Sequence, residues 1–380
     1  MKKRVFAIMA AMTMTGIAAA TESPAPDNGN IIIGKSDIRI EGGVMTPEAL
    51  WAMGRVGEFS VSPDAGSILY GISYYSVEHN KSHHTLNIMS ADGSNKAALT
   101  TTAANESSAV WIKGGTKIAF LSNESGKNQI WEMNPDGTER RQLTNDESDI
   151  EGFLFSPDET KVILIKRIKT KPTTADVYPD LPLAQGFVVD DLMYKHWDEW
   201  ITDAPHPFIA TFDGNSIDAG SDLLEGTVYD CPNRPFGGAE QLAWSNDSKK
   251  IAYACIKKSG RDYTLSTDTD IYLYNLETGT TENLCKMNEE SSSYGYDTAP
   301  KFSPDGKQLA WLSMEHDGYE SDQNRLSILN LTTGERTYLT GVANSDGVTE
   351  FDSNVDSYCW APNSKSLYFT GTWHGTTQVY

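Results

Sequence analysis

The segment YKHWDEW, residues 194–200, carries the side chains of this sequence that are best suited to bind a charged ligand. Its adjacent carboxylates, Asp198 and Glu199, can pair with an ammonium group through charge-assisted hydrogen bonds. Neighbouring residues of a strand point to opposite sides, so at most one of the two would reach a ligand. Alternatively, the flanking tryptophans anchor the segment while the acids face water or pair with Lys195. We predict Asp198 and Glu199 as substrate-binding residues.

A serine nucleophile of the α/β-hydrolase type would require the pattern G-x-S-x-G, which sets the serine on a strand-to-helix turn beside an oxyanion hole. The sequence does not contain this pattern. The nearest string, GNSID around Ser216, lacks the second glycine and lies among turn residues. Strands alternating with amphipathic helices, which would build a hydrolase sheet, are not evident either. We therefore predict no catalytic residue in this chain and no activity of the chain alone.

The histidines do not suggest a metal or cofactor site. His83 and His84 lie between two predicted strands, but no third ligand accompanies them. His206 stands between two prolines, which predicts a rigid loop, and His316 and His374 fall in predicted turns. We expect no bound metal and no cofactor.

A phrase that recurs six times indicates how the chain is organised. An aromatic or apolar pair leads into Ser-Pro-Asp-Gly or a degraded form of it, and an alternating or apolar run follows. Proline presets φ and the Asp-Gly pair supplies turn chemistry, so each copy predicts a strand, a tight turn and a second strand. The copies are FSVSPDAGSILYGIS (from Phe59), VWIKGGTKIAFLSN (Val110), FLFSPDETKVILIKR (Phe153), LAWSNDSKKIAYACI (Leu242), KFSPDGKQLAWLSM (Lys301) and YCWAPNSKSLYFTG (Tyr358).

A second hairpin phrase follows most copies, for example LNIMSADGSNKAALT after the first and IWEMNPDGTERRQLT after the second. Two hairpins per repeat make four strands, and the copies are spaced by 44 to 58 residues except for one interval of 89. A four-stranded unit with this spacing is a β-propeller blade. We predict an all-β propeller over residues 46–380, with about six visible blades, the last incomplete, and one long insertion in blade three at about residues 168–238.

The aromatic residues of the repeat predict the core between the blades. Their positions within the phrase indicate packing, and we expect no ligand-stacking role for them. They are Phe59, Trp111, Phe155, Trp244, Trp311 and Trp360.

The first twenty residues have the features of a bacterial export signal, namely a basic start, an apolar stretch and small residues up to Ala20. Residues 21–45 form a linker or entry segment before the propeller, and its first part, residues 21–30, is polar. No later segment has eighteen consecutive apolar residues, so we predict no membrane span. We expect a periplasmic or secreted protein.

Charge and cysteine content set further limits. The 31 Lys and Arg against 52 Asp and Glu give a net charge of −21, which disfavours nucleic acid as a partner. The four cysteines are compatible with one or two disulfides in an oxidising compartment, but their spacing selects no connectivity. We expect buried thiols with at most one bridge.

Several stretches resemble a known family. The blade IAFLSNESGKNQIWEMNPDGTERRQLT is similar to the repeat shared by the TolB translocation protein and the propellers of prolyl oligopeptidase-family serine peptidases. The stretch MTPEALWAMGRVGEFSVSPD, from Met45, resembles the short helix and first strand of acylaminoacyl-peptidase-like propellers. The segment from Tyr178 to Ala210 and the phrase MEHDGYESD from Met314 resemble the dipeptidyl peptidase V family. The similarity runs from about Thr46 to Tyr380, and KHWDEW is its most specific part.

The resemblance implies the substrate-gating propeller of an exported serine peptidase that removes dipeptides from peptide N-termini. In that family a C-terminal α/β-hydrolase domain carries the Ser-Asp-His triad. A propeller carboxylate, here Asp198 or Glu199, would pair with the free α-ammonium of the peptide. Because neither that domain nor the closing strands of a last blade are found in this sequence, we expect a truncated propeller. The alternative is a stand-alone TolB-like periplasmic propeller that binds a protein partner.

Overall fold

The computed structural model describes residues 32–181, 183–184, 186, 201–286, 294–341, 351 and 353–380. Within them the chain forms six antiparallel sheets, each built from strands that are consecutive in sequence. The sheets are the blades of a β-propeller, named blade one to blade six in chain order. Five blades have four strands, and the described part of the sixth has three. The predicted all-β propeller is confirmed.

The first three blades contain twelve strands. Blade one consists of β1 (Arg55–Val61), β2 (Ser67–Ser76), β3 (Lys81–Ser90) and β4 (Ala97–Ala98). Blade two consists of β5 (Glu106–Ile112), β6 (Lys117–Ser122), β7 (Gln129–Met133) and β8 (Arg141–Gln142). Blade three consists of β9 (Ile150–Phe155), β10 (Lys161–Lys169), β11 (Asp203–Thr211) and β12 (Ser221–Asp222).

The last three blades follow the same order along the chain. Blade four consists of β13 (Leu242–Trp244), β14 (Lys250–Cys255), β15 (Asp270–Asn275) and β16 (Thr280–Asn283). Blade five consists of β17 (Asp297–Phe302), β18 (Gln308–Ser313), β19 (Arg325–Asn330) and β20 (Arg336–Tyr338). Blade six consists of β21 (Val355–Trp360), β22 (Leu367–Trp373) and β23 (Thr376–Val379).

Helices are short, and one precedes the first blade. Helix α1 (Pro47–Ala52) begins after Thr46, whose Oγ1 accepts a hydrogen bond from the Ala49 N–H at 3.2 Å. Proline at the first helical position has no N–H to leave unsatisfied, so it favours this start. The short helix and first strand expected from Met45 onward are confirmed. Helices α2 (Thr174–Val177) and α3 (Gly260–Leu265) lie in the connections of blades three and four. None of the helices that the structure describes is long and apolar enough to span a bilayer.

The Ser-Pro-Asp-Gly phrase forms the turn between the first two strands of a blade. In blade five the Ser303 hydroxyl donates to Asp305 at 2.6 Å, and that carboxylate accepts the Lys307 N–H at 3.1 Å. Gly306 follows with a φ of 70°, a conformation that glycine adopts without strain. In blades one, three, four and six the same position is taken by Ala65, Glu159, Ser248 and Ser364, with φ between 52° and 59°.

Side chains at this left-handed position connect neighbouring blades. The Ser248 hydroxyl of blade four accepts the Asp158 N–H of blade three at 3.1 Å. The Ser364 hydroxyl of blade six accepts the Asp305 N–H of blade five at 3.0 Å. Glu159 of blade three accepts the Lys113 N–H of blade two at 2.8 Å. These three hydrogen bonds join blades three, four and six to the blade before each of them.

The hydrophobic core consists of five clusters, one between each pair of successive blades. Tryptophans at the end of the first strand pack there and donate their indole N–H to a backbone carbonyl of the preceding blade. The bonds are Trp111 to Ser60 at 3.3 Å, Trp244 to Leu154 at 3.1 Å and Trp360 to Lys301 at 2.9 Å. Trp311 is fully buried in the same core but lies in the second strand of its blade, and Phe155 packs between blades two and three. The predicted inter-blade role is confirmed for these five residues.

The prediction for Phe59 is wrong, because its side chain is 74% exposed. It pairs with Tyr70 on one face of blade one, whereas the neighbouring Leu69 lies on the other face and packs against blade two. Val56 and Val61 are 69% and 49% exposed. No described blade covers this face, so its apolar side chains, unlike their counterparts in later blades, remain in solvent.

The insertion expected at about residues 168–238 is interrupted by two strands of blade three. β10 pairs with β11 over nine residues, from Lys161 opposite Thr211 to Lys169 opposite Asp203. β12 then pairs with β11. The chain that is extra to the blade therefore includes the stretch between β10 and β11, and Asp198 and Glu199 within it lie outside the described residues.

Candidate functional site

A cavity of about 590 Å³ lies where the first strands of blades one, two and three come together with the chain that leads into blade four. We call it the channel cavity. Its wall includes three carboxylates and two guanidinium groups, together with apolar residues such as Phe59 and Phe153. The charged residues are Glu58, Glu151, Arg167, Arg234 and Glu240. A cavity of this size lies within the range of small-ligand sites.

Irregular first strands bring these residues to the cavity. β1 has a register shift between Val56 and Phe59, and β5 has one between Ser107 and Val110. A β-bulge bends a strand and re-aims its side chains, and bulges are frequent beside functional sites. As a result, the consecutive residues Glu58, Phe59 and Ser60 all line the cavity.

Glu58 is oriented by a chain of hydrogen bonds across blade one. Its Oε1 lies 3.1 Å from His84 Nε2, and His84 Nδ1 lies 2.7 Å from the Ser73 hydroxyl. The same Oε1 accepts the backbone N–H of Ser108 in blade two at 2.9 Å. When the Ser73 hydroxyl donates to Nδ1, the Nε2–H of the neutral ring donates to Glu58, so one tautomer satisfies both contacts. The carboxylate is therefore anchored from two blades.

A glycine makes room for the His84 ring. A Cβ atom on Gly71 would lie 2.4 Å from His84 Nε2, a distance that Cβ contacts in proteins essentially never show, and 3.0 Å from Glu58 Cδ, which is a tight contact. Sequence reasoning treated His84 only as a metal ligand beside His83 and missed the group formed by Ser73, His84 and Glu58. The register of the β2–β3 hairpin, which places Ser73 directly opposite His84, is the feature that would have indicated this group.

The same contacts hold the Glu58 carboxyl in its ionised form. Burial raises the pKa of Glu58, but the hydrogen bond from His84 and the backbone N–H donors, including that of Ser108, outweigh this effect. Its pKa consequently lies below the usual value for glutamate. Glu58 therefore presents a negative charge to the cavity throughout the neutral and mildly acidic range.

On the opposite wall the guanidinium groups are committed to carboxylates of the protein. Arg167 pairs with Glu151 at 2.5 Å and with Asp203 at 2.9 Å. Arg234 pairs with the same Asp203 at 3.1 Å and with the fully buried Asp230 at 3.1 Å. Burial lowers the pKa of Arg167, but its two carboxylates outweigh this and raise it. This network braces blade three against the chain that precedes blade four.

The structure separates the two adjacent histidines that were considered for metal binding. The His83 ring is buried, with Nδ1 at 3.0 Å from the Ile33 carbonyl and Nε2 at 3.1 Å from the Ala104 carbonyl. His84 instead contacts Ser73 and Glu58. Consecutive strand residues point to opposite faces, so the two rings do not meet.

His206 lies in strand β11, which corrects the predicted loop. It is fully buried, and its Nδ1 lies 2.9 Å from Asp222. The prolines on both sides of His206 have no N–H to donate, but their carbonyl oxygens still accept hydrogen bonds. The Pro207 carbonyl, for example, accepts the Leu223 N–H.

Among the described residues, Asp270, Cys285 and Asp297 form a buried group whose ligand atoms lie within 4.8 Å of one another. Lys286 donates to Asp270 at 3.0 Å and Arg336 to Asp297 at 3.3 Å. The carboxylates thus already have cationic partners within the protein, and we assign this group a structural role.

All four cysteines are free thiols. Cys231, Cys255 and Cys285 are buried, as expected, and burial raises the pKa of Cys231 and of Cys285. Cys359 is exposed, contrary to the expectation of a buried thiol. It alternates along β21 with Tyr358 and Trp360, which pack against blade five, so its own side chain points away.

Comparison with known proteins gives sequence relatives and fold neighbours. The chain is 45% identical over 380 residues to a dipeptidyl-peptidase 5 of Porphyromonas gingivalis, covering 100% of this chain and 52% of that protein. It is 40% identical over 329 residues to one of Porphyromonas endodontalis, covering 87% of this chain and 46% of the relative. The chain thus spans about half the length of the curated relatives it matches. No protein-family model matches.

Solved structures of similar fold include two peptidases. An acylaminoacyl peptidase of Pyrococcus horikoshii superposes with a TM-score of 0.59 at 15% identity, over 87% of this chain and 45% of that one. The propeller domain of the Trilobed protease from Pyrococcus furiosus gives a TM-score of 0.50 at 15% identity, over 86% and 80% of the two chains. At these identities the likeness concerns the fold alone. The resemblance found in the sequence is confirmed: the chain is a β-propeller related over its whole length to about half of dipeptidyl-peptidase 5.

Proposed function

We propose that this chain is the propeller half of an exported serine dipeptidyl peptidase, which releases dipeptides from peptide N-termini. The observation that carries the proposal is the 45% identity over the full chain to about half of a dipeptidyl-peptidase 5. A C-terminal α/β-hydrolase domain with a Ser-Asp-His triad would perform the chemistry. The part of this chain would be to admit, hold and orient the peptide.

Substrate gating is the role that the channel cavity supports. A cavity lined by the first strands of blades one, two and three would exclude folded proteins and admit an extended peptide, which would limit hydrolysis to short or unfolded chains. Its volume of about 590 Å³ is large enough for a few peptide residues. Holding a peptide in a fixed position beside a nucleophile lowers the entropic barrier of the reaction.

Recognition of the free amino terminus is assigned to the acidic pair Asp198 and Glu199. An enzyme that counts two residues from the N-terminus needs a group that binds the α-ammonium, and a carboxylate meets this need through charge-assisted hydrogen bonds. In the full-length enzyme, Asp198→Ala or Glu199→Ala should reduce the preference for free over acetylated N-termini about tenfold. If both variants keep the wild-type preference, Asp198 and Glu199 do not recognise the amino terminus.

The export signal proposed for residues 1–20 would direct the enzyme to the periplasm or outside the cell. Peptides are abundant substrates there and the compartment is oxidising. Cell fractionation with an antibody against the propeller tests this placement, with a cytoplasmic marker protein as the control.

The proposed function is tested by the intact mass of the native protein captured from its source cells with the same antibody. We expect a mass about twice that of this chain and covalent labelling by a fluorophosphonate. A heat-denatured control sample should not be labelled. A mass near that of the chain, without labelling, would contradict the proposal and favour a stand-alone binding propeller.

A further inference from the structure

Lys257 is a half-buried lysine that lies two residues after the end of β14 in blade four. Its Nζ donates a hydrogen bond to the Tyr253 hydroxyl at 3.1 Å. The same nitrogen lies 3.7 Å from the centre of the Tyr272 ring. Among the residues that the structure describes, no carboxylate lies within ion-pair distance of Lys257. Its ammonium form there contacts a phenol oxygen and an aromatic face rather than an anion.

The surroundings of Lys257 favour the neutral amine, because a buried ammonium group loses its hydration. Burial accordingly lowers the pKa of Lys257 below its usual value. The Cys255 and Cys231 thiols and the Asp270 carboxylate oppose this effect without cancelling it. Burial also raises the pKa of Cys231, so this thiol carries no charge near neutral pH. Asp270 is itself paired with Lys286 at 3.0 Å, so its charge is already neutralised by a different lysine.

Two lysines close to Lys257 have the opposite environment. Lys286 lies 2.8 Å from Asp268 and 3.0 Å from Asp270. Burial lowers the pKa of Lys286, but these carboxylates outweigh it and raise the pKa above its usual value. Lys258, next in sequence to Lys257, pairs with Asp268 at 3.0 Å. Lys258 and Lys286 are therefore natural controls for the unpaired Lys257.

A second half-buried lysine, Lys301, differs from Lys257 in its hydrogen-bond acceptor. Burial lowers the pKa of Lys301 as well. Its Nζ, however, donates to the Tyr358 backbone carbonyl at 2.6 Å. A carbonyl oxygen is a better acceptor than a phenol oxygen, so it holds the ammonium form more firmly. We expect Lys257 to offer the more reactive amine of the two.

From this environment we infer that Lys257 is a covalent modification site, a reactive amine that forms imines with small aldehydes. In this step the lone pair of the neutral Nζ forms a C–N bond to the carbonyl carbon. The carbonyl oxygen takes both amine protons and leaves as water, and a C=N bond results. A lysine that loses its proton easily reacts in this way near neutral pH, whereas an ammonium group has no lone pair to donate. The inference does not depend on the proposed peptidase function.

The test is reductive alkylation of the folded 380-residue chain with propanal and dimethylamine–borane, at low reagent concentration and short reaction times. The borane delivers hydride to the imine carbon and a proton from water completes a stable secondary amine. Mass spectrometry after digestion with a glutamate-specific protease gives the extent of labelling at each lysine. We expect Lys257 to be labelled several-fold faster than Lys258 and Lys286 at neutral pH.

The pH dependence of this ratio reports the ionisation of the amines. All lysines of one sample share the reduction step, so the ratio of labelling rates reflects the lysines themselves. The ratio should fall as the pH approaches about 10.4, the usual pKa of lysine, because the paired lysines then also begin to lose their protons.

Two controls separate the local environment from other causes. Asp268→Asn removes the shared partner of Lys258 and Lys286, and it should raise their labelling several-fold while that of Lys257 is unchanged. A cooperative melt above the labelling temperature is the check that this variant is folded. In concentrated urea all lysines share one environment, and the three should be labelled at equal rates.

Two results would overturn the inference. One is labelling of Lys257 in the folded chain that is no faster than labelling of Lys286. The other is a preference for Lys257 that persists in urea, since it would then arise from the local sequence and not from the folded environment.

Discussion

Gly71 controls the position of the His84 ring, and through it the orientation of Glu58. Gly71→Ala would place a methyl group 2.4 Å from His84 Nε2. We expect the ring to be displaced and the free energy of unfolding to fall by about 1–3 kcal/mol. Urea denaturation measures this loss.

Gly57→Ala is the matched control for this substitution. Its Cβ would meet nothing closer than His84 Cε1 at 3.6 Å, an ordinary contact, and the residue has no positive φ. We expect a change in unfolding free energy of less than about 0.5 kcal/mol. Equal losses in Gly57→Ala and Gly71→Ala would show that the ring does not depend on the space at Gly71.

At the scale of single residues, the sequence showed which residue types are present but not which side chains contact one another. Asp198 and Glu199 were selected because their carboxylates are adjacent in sequence. Glu58 looked like an ordinary strand residue, because its importance arises from a hairpin register and a bulge that bring Ser73, His84 and Ser108 around it. Such contacts depend on the pairing of three strands and two blades, which local pattern does not encode.

The tryptophan at the end of a blade's first strand connects it to the preceding blade. Trp244→Phe would keep most of the apolar contact but remove the indole hydrogen bond to the Leu154 carbonyl. We expect a loss of about 1–2 kcal/mol in unfolding free energy, measured by urea denaturation. Trp373→Phe, at the exposed end of β22, is the control and should be close to neutral. A neutral Trp244→Phe would show that the indole bond contributes nothing.

The turn between the first two strands predicts a loss of stability in acid. Hydrogen bonds from Ser156 and from Thr160 lower the pKa of Asp158 to about 2. Since the folded pKa is lower than the unfolded one, the unfolded state binds more protons between about pH 4 and pH 2. The stabilisation is complete above the unfolded pKa and is lost as the pH falls through about 2.

Thermal melts at pH values from 6 to 2 test this expectation. Asp158→Asn should be less stable than wild type at pH 6, and the difference should shrink as the pH falls. Asp356→Asn, which changes an exposed side chain of β21, is the control and should parallel wild type. A gap between Asp158→Asn and wild type that stays constant with pH would contradict the assignment.

The sequence was most informative about the secondary-structure elements, that is, the strands and turns. The repeated phrase predicted the first hairpin of every blade because its turn chemistry is local and its apolar alternation follows the pleat. The role of Phe59 was not predictable in this way. The same phrase that buries an aromatic residue in later blades leaves Phe59 exposed in blade one, since burial requires a neighbouring blade on that face.

At the level of the whole molecule, the uncovered face of blade one predicts self-association. Val56, Phe59 and Val61 are each at least 49% exposed, and they lie close together on one face and edge of a sheet. Apolar surface of this kind favours association in water. We expect this chain to sediment as oligomers at micromolar concentration.

The double variant Val56→Thr with Val61→Thr should shift the chain toward the monomer in sedimentation velocity. Val228→Thr makes the same change at a site that is 45% exposed in another part of the chain, and it should leave the distribution unchanged. A wild-type chain that sediments as a single monomeric species would contradict the expectation.

The hydrogen bonds at the left-handed turn positions have a consequence for protein engineering. In each of the three pairs the acceptor is a side chain of the later blade, Glu159, Ser248 or Ser364, and the donor is a backbone N–H of the earlier blade. A backbone N–H is supplied by every amino acid except proline. A blade excised with its own turn thus carries the acceptor of this hydrogen bond with it, and for this one contact the neighbouring blade needs to supply only a backbone N–H.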